Sequence, residues 1–242
     1  MRALKRVPPG NPTSLQGFLD QTAWYRAIDG ERRRWVASRM TERRLAPGQY
    51  LARGGEVATH AYSVLEGLLK WSLCNRDGRE VTLSSLGVDA WFGHGTLLGR
   101  FPRHGDIVAL RESRVSCMPQ DVFDWLLQES LPFNAALLRN INHRLQWFIG
   151  SFSARTTMPV DDQVARALAG MFHPDLNPGA SRALHVSQEE LASLTGFSRQ
   201  RCNRALARLR AAGVIATEYG AITVLDTARL RAIGTNGWPD VG

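Results

Sequence analysis

The 242-residue sequence predicts an α+β chain: an antiparallel β domain, then a long helix, then a helix-turn-helix followed by a two-stranded wing. Three observations carry that prediction. Short apolar runs punctuated by glycine begin at Pro47, an apolar repeat spaced alternately by three and four runs from Leu138 to Phe152, and a capped two-helix pattern spans Val186 to Arg210.

Taken in order, residues 1–13 are rich in proline and charge, the composition of a disordered tail. Trp24 to Leu45 reads as helical, mixing Trp24, Ile28, Trp35, Val36 and Met40 with Arg32, Arg33, Arg34, Arg39, Arg43 and Arg44, a basic cluster best explained as a solvated helix face. The runs PGQYL, AYSVLEGLLKWSL, NRDGREVTLSSLG, WFGHGTLLG and DIVALRESRVSCMP then predict short strands in an antiparallel barrel or sandwich. Asn75-Arg76-Asp77-Gly78 is a good hairpin turn, because Asp-Gly tolerates positive φ.

Leu131-Pro132 opens a long helix in which Leu138, Ile141, Leu145, Phe148 and Phe152 follow the a/d spacing of a coiled-coil seam. Such a stripe can pack on its own domain or meet a second copy; a parallel homodimer is the preferred reading. Pro159 should interrupt the helix, since proline removes a backbone donor and restricts the residue before it, which places a hinge at Thr157 to Val160. Asp161 to Phe172 is expected to be helical and HPDLNPGASR a loop.

Ser187 and Glu190 fit a capping box, so a short helix starts there with Leu191 and Leu194 on its buried side. Thr195-Gly196-Phe197 break it, and Ser198 can cap a second helix. Two helices joined by a short glycine-containing turn form the helix-turn-helix pattern. In the second helix Cys202, Ala205, Leu206 and Leu209 share one stripe. Gln200 and Arg204 lie nearly opposite, flanked by Asn203, Arg201 and Arg208. From Arg199 to Arg210 there are five arginines and no acidic residue. Arginine can hold guanine and glutamine can hold adenine with paired hydrogen bonds, and the major groove admits a helix. Arg199, Gln200 and Arg204 are therefore the candidate base readers, against the plainer reading of a solvated basic face. Val214 to Thr217 and Ile222 to Leu225, around a turn at Tyr219-Gly220, supply the wing, and Asp226 can cap a last helix through Ile233.

Composition narrows the function classes. The formal charge is +8, yet residues 160–242 hold 9 basic and 8 acidic side chains, so the positive excess relevant to DNA lies on one helix rather than on the whole C-terminal half. Cys74, Cys117 and Cys202 are widely spaced, which argues against a disulfide framework or a cysteine-bound cluster and suits a reducing cytoplasm. No segment approaches the ~18 apolar residues of a membrane span, so a soluble cytoplasmic protein with no membrane partner is expected. Phosphate-loop, nucleophile-elbow and zinc-protease motifs are missing from the sequence, so no catalytic residue is assigned and an enzyme is not expected.

From about residue 18 to 233 the chain resembles the Crp/Fnr family of bacterial transcription regulators. The match is carried by Leu65-Glu66-Gly67, Asp77-Gly78-Arg79-Glu80, Phe92-Gly93, and above all SQEELASLTGFSRQRCNRAL followed by LRAAGVI. The resemblance implies a cyclic-nucleotide-binding-like β-roll or jelly roll as the sensor domain (14–131), a dimerisation helix and hinge (132–158), and a winged helix-turn-helix domain (159–242). It further implies a homodimer that places two recognition helices in successive major grooves of double-stranded DNA, ~34 Å apart, and contacts RNA polymerase. On this resemblance Arg199, Gln200 and Arg204 match base-contacting positions, with Gln200 where glutamate is common. Gln188 and Ser198 match phosphate contacts.

The sensor site departs from the family pattern. Cyclic-nucleotide binders of the family keep a glutamate after the Phe-Gly glycine and an Arg-Ser pair about ten residues on; here these positions are His94 and His104-Gly105, with Arg103 adjacent. The helix position that offers a hydroxyl to adenine aligns with Phe148, beside Trp147. Gly93, His94, Arg103, His104, Trp147 and Phe148 thus outline an effector pocket that is not expected to take cyclic AMP in the usual mode. No cofactor and no metal site is assigned. Cys74, His60, His94 and His104 offer donor types found around haem or metals, and imidazoles near loops are usually ordinary polar residues. The alternative function is a cyclic-(di)nucleotide- or haem-sensing module acting mainly through protein contacts.

Overall fold

The computed structural model describes residues 14–74, 77–78, 80–180, 183–218 and 220–238. The expected disordered tail, Asn75 and Arg76 of the hairpin turn and Tyr219 of the wing turn lie outside them.

Helices α1 (Leu15–Gln21), α2 (Ala23–Arg26) and α3 (Gly30–Arg39) open the described chain, and Asp29 caps α3 by accepting the Arg32 amide at 2.9 Å. The single helix expected over Trp24 to Leu45 is not formed. Helix α3 stops at Met40 and Thr41–Leu45 becomes strand β1, because this segment completes the sheet edge beside Ser113–Pro119. Arg43 and Arg44 consequently sit on a strand, apart from the helical arginines.

The β domain comprises β1, β2 (Tyr50–Ala52), β3 (His60–Glu66), β4 (Leu69–Cys74), β5 (Glu80–Leu86), β6 (Trp91–Phe92), short helix α4 (His94–Gly99), β7 (Asp106–Ala109) and β8 (Ser113–Pro119). Two four-stranded antiparallel sheets, ordered β1-β8-β3-β6 and β2-β7-β4-β5, enclose a core of Leu45, Val64, Leu69, Leu86, Phe92 and Val115. The WFGHGTLLG run is thus a two-residue strand followed by a short helix rather than a strand alone.

Helix α5 (Gln120–Glu129) leads into α6 (Leu131–Thr157), whose Ser130 cap and Pro132 in the first turn suit a helix start. The chain leaves α6 through Met158 and Pro159 and enters α7 (Val160–Met171). Strand β9 (Ala183–His185), in the stretch between the expected loop and the helix-turn-helix that sequence patterning left unassigned, pairs with the wing. Helices α8 (Gln188–Thr195) and α9 (Arg199–Ala211) follow, then β10 (Ile215–Glu218), β11 (Ala221–Val224) and α10 (Thr227–Asn236). Their shared core includes Val164, Leu168, Leu191, Cys202, Leu209, Ile222 and Leu230. The three-residue β9 is held by its ladder to β11 and by Leu184 packing on the core, contacts that its own short run of residues does not encode.

The C-terminal unit is docked on the barrel. Lys70 Nζ donates to Ser193 Oγ at 3.1 Å, Thr82 Oγ1 donates to the Ser193 carbonyl at 2.5 Å, and Arg111 pairs with Glu190 at 2.8 Å. Asn177 bridges the two parts, accepting the Gly87 amide at 2.7 Å and donating to the Gly170 carbonyl at 3.0 Å.

Candidate nucleic-acid interface

Helix α8 begins with a complete capping box: Ser187 Oγ accepts the Glu190 amide at 3.1 Å and Glu190 Oε2 accepts the Ser187 amide at 2.7 Å. Burial alone would raise the Glu190 pKa. The Ser187 amide and the Arg111 guanidinium outweigh it and hold the carboxyl below its ordinary range. Gly196 ends α8 at φ 73°, a left-handed conformation that glycine adopts without steric cost. The chain then turns into α9, where Ser198 Oγ accepts the Arg201 amide at 3.4 Å.

One side of α9 is closed and the other open. Cys202, Ala205, Leu206 and Leu209 are buried, and burial pushes the Cys202 thiol pKa up. Arg199, Gln200, Arg201, Asn203 and Arg204 are exposed on the opposite side. Several are tied to neighbours. Arg204 makes a two-pronged pair with Asp161 in the first turn of α7, with contacts of 2.9 to 3.2 Å. Hydrogen bonding to Asp161 and its charge raise the Arg204 pKa. Arg199 pairs with Glu189 at 2.7 Å, and Asn203 Nδ2 donates to Gln188 Oε1 at 3.2 Å. Arg208 instead stacks on Trp238 and reaches Asp162 at 3.7 Å. The pairs on Arg199 and Arg204 are open to water, so phosphate or base edges can compete for the same guanidinium groups. Sequence reasoning missed Asp161, because α7 lies 43 residues away from Arg204 and only packing brings it there.

In the barrel, the six residues expected to form an effector pocket are divided. Gly93 adjoins Arg103 and Tyr62, and Arg103 is buried with its guanidinium donating to the His60 carbonyl at 2.9 Å and lying over the Tyr62 ring. That side opens into a cleft of about 270 Å³ lined by Arg43, Glu56, His60, Tyr62, Arg103 and Cys117, among others. His94 is buried at the start of α4, and desolvation with the nearby Arg144 charge lowers its pKa to about 3, so it is a neutral imidazole. His104 is exposed beside Phe101, and its carbonyl accepts from Trp71 Nε1 at 2.7 Å. Phe148 meets Trp71 edge-on, closing the barrel side next to that segment. Trp147 lies beneath Arg166 and against Gly170, and lines a second cleft between β5 and α7 together with Glu80 to Ser85.

Within the expected seam, Ile141 packs on the N-terminal cluster of its own chain and Phe148 on Trp71, and both stay partly exposed. The open stripe of α6 is Leu131, Leu138, Leu145, Ile149 and Phe152, each more than half exposed. No helix among the described residues is long and apolar enough to cross a membrane.

A barrel, a long helix with an open apolar edge and a winged helix-turn-helix with a basic outer face are the parts of a DNA-binding regulator. Residues 42–130 match the cyclic nucleotide-binding domain model and residues 162–233 the Crp-like helix-turn-helix model. The chain is 28% identical over 179 residues to the CRP-like cAMP-activated global transcriptional regulator of Mycobacterium tuberculosis, covering 73% of this chain and 80% of that one. Identity to the cyclic AMP receptor protein of Thermus thermophilus is 27% over 194 residues, covering 79% and 88%. The structure of FixK2 from Bradyrhizobium japonicum superposes with a TM-score of 0.66 at 17% identity, covering 79% of this chain and 96% of that one. The protein belongs to the Crp/Fnr family: it is a Crp-like transcription regulator with a helix-turn-helix DNA-binding domain, and this is not an enzyme family.

Proposed function

We propose that the protein works in the cytoplasm as a homodimer joined along α6, reads a two-fold symmetric DNA site with α9, and contacts RNA polymerase at the promoter. The observation that carries this reading is the outer face of α9, where Arg199, Gln200, Arg201 and Arg204 stand exposed on a helix whose other side is buried. Gln200, Arg199 and Arg204 read bases, and Asn203, Arg201, Ser198 and Gln188 position the helix on the backbone. Ser198 and Gln188 keep internal hydrogen bonds while doing so, through the Arg201 amide and Asn203 respectively. The domain division at residues 14–131, 132–158 and 159–242 belongs to the same proposal.

The sensor does not use cyclic AMP in the way its relatives are named for. A neutral, buried His94 offers no carboxylate to a ribose, Arg103 is turned onto the His60 carbonyl, and Phe148 with Trp71 occupies the side where a base would enter. Selection of bound sites from random duplex DNA, with purified protein and no added ligand, tests the reading. Recovery of an inverted repeat with half-sites about one helical turn apart supports it. Binding without sequence preference refutes it.

A further inference from the structure

Three side chains that the DNA-binding reading does not use meet where the long helix touches the C-terminal unit. His143 projects from the middle of α6, and His173 and Asp175 come from the segment that leaves α7. His143 Nδ1 is 3.6 Å and His173 Nδ1 3.9 Å from the same oxygen, Asp175 Oδ2, and the two imidazole rings are 5.9 Å apart. One donor atom from each residue lies within 4.8 Å of the others, the one such group of three among the described residues. His60, His94, His104 and Cys74 form no such group there.

We propose that His143, His173 and Asp175 form a zinc site that clamps the long helix to the DNA-binding domain. Two imidazoles and one carboxylate are a donor set suited to zinc and its transition-metal neighbours, and poorly suited to magnesium or calcium, which favour oxygen alone. Bonds of about 2.0 to 2.2 Å in a tetrahedron require donors roughly 3.3 Å apart, so small side-chain movements complete the geometry and leave a fourth position for water. His173 Nδ1 accepts the Asp175 amide at a long 3.2 Å, a weak bond that an ion bound at Nδ1 would displace.

The surroundings give the ion a consequence. Trp147 stands edge-on to His173 one turn along α6 from His143, and the segment bearing Asp175 is pinned by Asn177 to Gly87 and Gly170 and by the Gly179 amide to the Val88 carbonyl at 3.1 Å. A bound ion therefore joins α6, the C-terminal unit and the β5–β6 turn, and favours the docked arrangement over any other orientation of α9. The effect on DNA rests on the function proposed above; the ion site itself does not.

The test uses tag-free, chelator-stripped full-length protein titrated with zinc in a calorimeter, with cobalt(II) absorption as a second readout. One zinc per chain at micromolar affinity or tighter is expected, with a cobalt spectrum of tetrahedral intensity and a higher Tm on zinc addition. His173→Gln and Asp175→Asn should each weaken zinc binding at least tenfold while leaving the metal-free circular dichroism unchanged. Binding below one zinc per chain, or equal binding by both variants, overturns the site. A change of at least fivefold in affinity for the selected DNA on adding zinc, lost in Asp175→Asn, supports the clamp. Unchanged DNA affinity with zinc bound overturns the clamp and leaves the site standing.

Discussion

Replacing Leu145 by alanine tests whether the open edge of α6 is an interface. Leu145 is 53% exposed, so about half of its side chain is still available to leave water. Complete burial of a leucine contributes roughly 1.5 to 3 kcal/mol, which leaves about 1 kcal/mol to be gained at this position. A two-fold dimer contains the residue twice, so the substitution should weaken association by about 2 kcal/mol, close to a 30-fold rise in the dimer dissociation constant. The isolated chain should hardly change in stability, because the truncated part faces solvent. Ile141→Ala makes the opposite prediction. Ile141 packs against the cluster that includes Phe133 and Leu137 within one chain, so its loss should lower the unfolding free energy and affect association only secondarily. Sedimentation equilibrium over a range of concentrations, paired with urea unfolding, separates the two. A dimer dissociation constant unchanged by Leu145→Ala, or a wild type that is monomeric at every concentration, would refute the assignment of this stripe.

Further outcomes follow from the DNA-binding face and the sensor. Arg204→Ala should weaken binding to the selected site roughly 5- to 150-fold and relax preference at one base position, whereas Asp161→Asn should strengthen binding severalfold by releasing Arg204; gel-shift titration measures both. Ser187→Ala removes the α8 cap and should cost about 1 kcal/mol in chemical denaturation. Because the Glu190 pKa is lowered from 4.5 in the folded state, its contribution is complete above that value and is lost as pH falls through the lower folded value; Glu190→Gln should flatten the acid side of the stability profile. Cyclic AMP should show no micromolar binding in calorimetry, and a micromolar affinity would refute the reading of His94 and Arg103.

Sequence by itself determined the features whose causes lie within a few residues. The capping box of Ser187 and Glu190, the left-handed stop at Gly196, the buried stripe of α9 and the break at Pro159 depend on local backbone chemistry, and all are in the structure. Tertiary packing decided which side of a periodic helix is open. The repeat from Leu138 to Phe152 has the same spacing whether a side chain meets its own barrel or a partner, and only the positions of Trp71 and the N-terminal helices turn Phe148 and Ile141 inward. It also turned Thr41–Leu45 into a strand, since β8 offered an edge, and brought Asp161 to Arg204 and His143 to Asp175 across separations that no local pattern encodes. Hydrogen bonds and side-chain periodicity act between near neighbours along the chain; contact between distant segments depends on how whole surfaces fit together.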